Sequence, residues 1–383
     1  MNGLRRTTFG TMLTAPPVLL APALAGVMAL YFPMGISAQT PAVRNTFDTA
    51  YVKDYSHILT GRLYSSTKYN KLQLGGLRGT KALIYRPNNK INFGIGASYR
   101  ALTLNIGVGI PGLNKDQDKR GETRYFDAQA NIYTQRWATN LFLQRFQGYY
   151  VSSHTLPELG WHQDTAFPTR PDIVEYNLGI STVHIFNNDR FSYRAAFNQD
   201  AWQRKSQGSI LAGGYLTYFH LRADSSLVPE RLAELYDKGL QVRRGGFVDL
   251  GPSVGYAYTL VVMEHVFFTG SFVVGGGVSI QRAVTAVLGD GEDLKTSAGL
   301  GWHGQFRAGA GYNSARYYAG LSFNQENIGY FLDDRSSFYW SVGNIRLNFV
   351  KRFDLHIRFM DKGIRWFTRK VKEPMEEALP EVG

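Results

Sequence analysis

The chain has 383 residues, a formal net charge of +12 and no cysteine, which excludes disulfide-stapled scaffolds and thiolate metal sites. Its length holds two soluble domains or one large barrel. With 41 Gly, 23 Tyr and 24 Phe, the composition favours strands and tight turns over helices.

The N-terminus reads as an export signal. Arg5 and Arg6 form a basic start, followed by an apolar stretch from Met12 to Phe32 broken by Pro16, Pro17, Pro22 and Gly26. Ile36-Ser37-Ala38 suits cleavage, giving a leader over 1–38 and a mature start near Gln39. The prolines argue against a permanent helical anchor, and without a cysteine there is no lipoprotein anchor. Downstream, no apolar run of about 18 residues exists, so a helical inner-membrane protein is excluded. Residues 39–57 form a periplasmic lead-in, amphipathic from Phe47 to His57.

From Ile58 the hydrophobic period is two. Phe126, Ala128, Ala130 and Ile132 share one face; Tyr125, Asp127, Gln129, Asn131 and Tyr133 share the other. Val174, Tyr176, Leu178 and Ile180 oppose Glu175, Asn177, Gly179 and Ser181. Gly343, Ile345, Leu347 and Phe349 oppose Asn344, Arg346 and Asn348. Runs such as 172–186, 207–222, 267–281 and 316–330 exceed the usual globular strand of about 5–6 residues. They fit the ~9–11 residues that a tilted strand needs to cross a membrane.

Short connections (Arg100-Ala101, Thr134 to Arg136, Asn187 to Asp189, Asn313 to Ala315) alternate with longer polar ones (Pro111 to Gly121, Ser152 to Pro171, Ala283 to Lys295), as in outer-membrane barrels. The predicted fold is therefore all-β: a transmembrane antiparallel β-barrel over 58–359 of about 14 strands, within a range of ~12–16. Two regions fit no simple strand scheme: the break at Met263-Glu264-His265 and the stretch from Leu72 to Thr80. A short helix is expected from Leu227 to Leu240, with Pro229 near its start. Residues 360–383 form a C-terminal tail.

An apolar outer face in lipid leaves a polar lining, assigned to Asp127, Gln129, Asn131, Glu175, Asn177, Arg307, Asn344 and Arg346. Tyr149-Tyr150, Trp137, Tyr330-Phe331 and Phe338 to Trp340 suit interfacial aromatic girdles.

Three sets of residues carry a resemblance. They are Leu83 to Asn88, Gly94 to Arg100 and Leu104 to Ile106; Gly121 to Asp127 and Gln147 to Tyr150; and Gly251 to Tyr256. Over Phe47 to Phe359 the chain resembles the outer-membrane barrel family of Bacteroidota catalogued as domain-of-unknown-function family 4421. The resemblance implies an exported outer-membrane protein. It brings no assigned chemistry and no catalytic residue.

Little in the sequence points to chemistry. Gly107 to Gly112 spells G-x-G-x-x-G, but Pro111 and a Lys/Asp-rich loop follow where a dinucleotide site needs a helix N-terminus. Gly275-Gly276-Gly277 reads as close strand packing or a bend. The eight histidines form no metal-ligand pair, and no cofactor is expected. Ser153, His154, His162 and Asp164 supply the residue types of a hydrolase in one polar loop, but spacing in a loop fixes no geometry.

The basic cluster from Lys351 to Lys372 suits anionic lipid headgroups, including lipopolysaccharide. Neither nucleic acid nor nucleotide is an expected partner. The leading expectation is a non-enzymatic pore, transport accessory or structural membrane protein. A lipid- or lipopolysaccharide-modifying barrel hydrolase and a soluble periplasmic ligand-binding β-protein are the alternatives.

Overall fold

The computed structural model describes residues 47–75, 82–88, 91–99, 102–109, 116–152, 157–161, 166–286, 292–331 and 337–355. The predicted leader and the tail 360–383 lie outside the described residues.

Alternating polarity over long runs produces long antiparallel strands. In chain order they are β1 (Val52–Asp54), β2 (Leu59–Leu74), β3 (Leu83–Arg86), β4 (Ile91–Tyr99), β5 (Leu102–Gly109), β6 (Arg124–Tyr133), β7 (Trp137–Val151), β8 (Thr169–Ile185), β9 (Ala201–Gln203), β10 (Gln207–Arg222), β11 (Val242–Val262), β12 (Val266–Ala286), β13 (Glu292–Asn313), β14 (Tyr317–Phe331) and β15 (Ser337–Phe353). Two short helices, α1 (Gln117–Arg120) and α2 (Tyr193–Phe197), lie between strands.

Neighbouring strands pair up to β15, which closes on β2 in a continuous register from Phe338↔Leu74 to Phe353↔Leu59. The closed circuit has ten strands, because short β3 bridges the end of β2 to β7 (Leu72↔Tyr85, Tyr85↔Val151). Lower in the wall, β4 and β5 extend from β2 and β6 extends from β7. This corrects the expected ring of about 14 strands: sequence alternation marks a strand without showing whether it lies in the circuit or beside it.

Among the described residues β5 and β6 share no ladder. The wall therefore has a seam between two sheet edges.

The exterior is greasy on every side. Leu63, Ile95, Ile106, Phe126, Leu250, Phe272, Leu300, Leu321, Leu347 and Phe349 are all exposed. The alternate positions are polar and buried: Ser66, Asn140, Asn177, Ser181, Thr217, Ser279 and Asn348. A soluble barrel would have the reverse polarity.

Loops close both ends. At the end where β2 begins and β15 finishes, the connection from β8 to β10 is no tight turn at Asn187 to Asp189, as the sequence suggested. It runs through α2 and β9 and packs inside the ring, and β9 pairs with β1 (Val52↔Gln203, Asp54↔Ala201). Its aromatics Phe191 and Tyr193 supply the reason, being buried against Ile185, Leu211 and Val273. Met263 and Glu264, at positive φ (50° and 61°), form a tight turn from β11 to β12, which accounts for the break in alternation there.

At the opposite end, the segment after β10 turns inward. It contains two 3-10 turns, Glu230–Leu235 and Lys238–Leu240, in place of the expected helix. Leu227, Leu232, Tyr236 and Leu240 bury themselves against Tyr85, Phe219, Phe247, Tyr330, Phe338 and Trp340. Tyr149, Tyr330, Phe338 and Trp340 are thus interior cap residues and not girdle aromatics, whereas Trp137 is exposed and Tyr339, on the opposite parity to its two neighbours, is only half-buried. Tyr or Trp in a strand fits a girdle and a dry plug equally well, and strand parity decides which it joins.

Candidate functional site

Between the inner plug and the apolar cap lies a polar lumen. Inward parity along β6, β7, β8, β13, β14 and β15 brings amides, hydroxyls and a few ions together. On β8, Glu175 is fully buried; its Oε1 accepts hydrogen bonds from Asn177 Nδ2 (3.2 Å), Trp340 Nε1 (3.3 Å) and Asn70 Nδ2. Asp127 on β6 is engaged by Lys68 Nζ at 2.7 Å and by Gln144 Nε2 at 3.1 Å. Arg307 on β13 donates to the Tyr133 hydroxyl, which donates to Asn140 Oδ1 at 2.7 Å. Glu326 faces both Arg307 Nη2 and His303 Nε2 at 3.9 Å, and Gln305 Nε2 reaches its Oε1 at 3.3 Å. These four ionised side chains are each offset by a partner or by donors, as burial in a low-dielectric interior requires.

Two adjoining chambers, of ≈ 50 and ≈ 30 Å³, share Gln129, Asn131, Arg307, Asn324 and Asn344 in their walls. Each has space for a few water molecules. At these volumes neither chamber is by itself a passage across the barrel.

The structure thus groups Gln129, Asn131, Arg307, Asn344 and Arg346 around the chambers. Asp127, Glu175 and Asn177 face the same lumen in separate hydrogen-bonded clusters. The loop candidates Ser153, His154, His162 and Asp164 lie outside the described residues. Among the described residues no three His, Asp or Glu side chains gather as metal ligands.

Sequence reasoning missed His303, Glu326, Gln305, Asn140 and Asn324, and it missed Tyr64. The alternation of β13 and β14 carries the signal for four of these, since His303 and Gln305 share parity with Arg307, and Asn324 with Glu326.

Glycines shape this wall. Tyr64 on β2 lies across Gly94 of β4 and Gly107 of β5. A Cβ at Gly107 would sit 2.7 Å from the tyrosine hydroxyl. The G-x-G-x-x-G string is therefore partly a seat for an aromatic ring. Gly275 serves Tyr215 likewise, where a Cβ would lie 2.6 Å from Tyr215 Cε1.

The inner plug is pinned by charge. Arg194 Nη2 lies 3.0 Å from both Asp54 Oδ1 and Asp200 Oδ2. Burial would lower the guanidinium's pKa, but the two carboxylates outweigh it and raise it above its ordinary value. Wall residues hold the plug's carbonyls: Arg62 Nη2 donates to Asn198 O (2.8 Å), Arg352 Nη2 to Gln199 O (2.7 Å) and Asn313 Nδ2 to Ala201 O (3.1 Å).

Fold and lumen together define a closed antiparallel β-barrel, apolar outside and polar within. The chain belongs to the family described as "Domain of unknown function (DUF4421)", whose match spans residues 46–353. No curated protein matches it. Solved structures that align with it include the outer membrane protease OmpT from Escherichia coli (10% identity, 79% of this chain and 98% of that chain, TM-score 0.35). They also include the toluene transporter TodX of P. putida (8%, 78% and 91%, TM-score 0.21) and the outer membrane protein OprG from Pseudomonas aeruginosa (10%, 79% and 99%, TM-score 0.23). At these scores the alignments carry no functional argument.

Proposed function

We propose that this protein is an integral outer-membrane barrel of non-enzymatic role, held shut in its resting state by its own plug and cap. One observation carries the reading: exposed Leu, Ile, Phe and Val side chains encircle a ring whose alternate residues are polar and buried. Only lipid covers such an exterior, and the closed circuit of ten strands pairs the backbone around the ring except at the seam between β5 and β6. The leader predicted over 1–38 supplies the export that an outer-membrane destination needs. In that orientation the plugged end, with its short turns, faces the periplasm and the capped end faces outward. The greasy belt makes membrane lipids the expected partners, and Lys351, at the plugged end where β15 finishes, with the basic residues that follow it in sequence, suits anionic phospholipid headgroups of the periplasmic leaflet.

Cell fractionation tests the placement. Recovery in the outer-membrane fraction, with faster gel migration before boiling than after, is the expected result. Release by osmotic shock would refute it. Planar-bilayer recording tests the closure: the intact chain is expected to give no steady conductance, and a variant with 190–204 replaced by a short Gly-Ser linker to give discrete openings. Steady porin-like current through the intact chain would contradict the closed state.

A further inference from the structure

We infer that the seam between β5 and β6 is a lateral port through which a phosphate-bearing amphiphile places its headgroup in the chamber at Arg346 and Arg307, its acyl chain remaining outside in the bilayer. The inference rests on the membrane placement proposed above.

Three independent features meet here. The first is the missing ladder: β5 and β6 present facing edges with no strand pairing between them, at a depth where unpaired backbone is costly. An amphiphile's polar groups can meet that edge. The second is exposure. Inward polar residues around the rest of the ring, such as Asn140, Asn177 and Ser181, are buried, whereas inward Asn105 of β5 and Gln129 and Asn131 of β6 are exposed. Solvent reaches the lumen wall at this seam.

The third is an uncompensated cation. Arg346 stacks 4.6 Å above the Tyr64 ring. Its buried Nε has no hydrogen-bond partner, and no carboxylate lies within ion-pair distance of it among the described residues. Asp127 is already engaged by Lys68. The smaller chamber, lined by Arg346 and Arg307, has no carboxylate in its wall, and Asn324, Asn344, Gln129 and Asn131 add amide donors. Glu326 borders only the larger chamber.

Guanidinium and amide donors around a space of a few waters match a phosphate oxyanion. Free phosphate would satisfy the chamber equally well, but the surroundings of the seam favour a lipid-borne group. Ile95, Ile106, Phe126 and Ile132 are exposed apolar side chains on the outer faces of β4, β5 and β6. An acyl chain lies against them while its headgroup enters.

The test uses the full chain, refolded in detergent and in nanodiscs, with phosphatidic acid carrying a diazirine in its acyl chain as the probe and inorganic phosphate as the separate arm. One retained phosphatidic acid per barrel is expected by native mass spectrometry, with at least a ten-fold loss of retention in Arg346→Gln and recovery in Arg346→Lys. Photolabelling is expected to concentrate on residues 91–109 and 124–133. Equal retention in Arg346→Gln, or labelling spread evenly around the belt, would overturn the inference. Arg346-dependent binding of inorganic phosphate without lipid retention would overturn the lateral port and leave a water-fed anion site. If Arg346→Gln does not fold, the labelling pattern of the unaltered chain decides alone. Heat-modifiable migration of that chain separates the two readings: if it persists while lipid retention fails, the port is wrong and the barrel stands.

Discussion

Arg194 and Asp200 lie 3.0 Å apart inside the ring, both nearly excluded from solvent, in a segment that a strand-by-strand reading passes over as a turn. The pair, completed by Asp54 from the N-terminal lead-in, ties the inner plug to the chain that precedes the barrel.

Removing one member of that pair leaves buried charge uncompensated. Arg194→Ala is expected to destabilise the folded barrel by about 3–5 kcal/mol, read by urea unfolding in detergent. Arg190→Ala is the control: its contacts to Asp48 (3.7 Å) and Asp189 (3.9 Å) are half exposed, and its loss should cost within ~1 kcal/mol.

The lipid face tolerates charge poorly. Leu347→Arg on β15 is expected to cost about 2–4 kcal/mol where the residue sits deep in the bilayer. Refolding yield into vesicles measures the effect. Asn348→Ala, the next residue along the strand and on the buried inward face, should lower the yield far less.

Gly107 and Tyr64 are expected to be coupled. Gly107→Ala brings a methyl group onto the tyrosine hydroxyl and should cost about 1–3 kcal/mol. Tyr64→Phe removes that oxygen and should recover most of the loss. A double-mutant cycle showing additivity would contradict the contact.

The outer cap depends on apolar burial. Leu232→Ala is expected to cost about 2–5 kcal/mol locally and to expose residues 224–241 to protease added to intact vesicles. The barrel wall should stay resistant.

Glu264 sits in the exposed turn from β11 to β12. A hydrogen bond from Arg204 (3.0 Å) and the charge of that guanidinium hold its carboxyl below the ordinary glutamate pKa. A depressed folded-state pKa means the contact stabilises the turn above the unfolded pKa and is lost as pH falls through the folded one. Carboxyl NMR titration in micelles should show the low value, and Arg204→Ala should return it to the ordinary range.

Much of the wall was legible. Period-two runs in β6, β8 and β15 show which residues face out, because a polar residue facing lipid and an apolar residue facing water are both costly. Inward Glu175, Asn177, Arg307 and Asn344 follow from parity alone. The closing segments were not legible. Phe191 and Tyr193 look like turn-flanking aromatics until the ring around them exists, and the Arg194 partners Asp54 and Asp200 are separated by 146 positions in the chain. The circuit of ten was equally hidden: β3 pairs with β7 across a long stretch of sequence, and no local pattern encodes that contact.

Site-directed spin labelling of the cysteine-free chain at positions 344 to 349, reconstituted in vesicles, reads out which face of β15 meets lipid. Oxygen dissolved in the bilayer should reach labels at Ile345, Leu347 and Phe349 strongly and those at Asn344, Arg346 and Asn348 weakly, alternating residue by residue. Uniform oxygen access along the strand, or greater access at the even positions, would contradict a barrel that faces lipid with its apolar side.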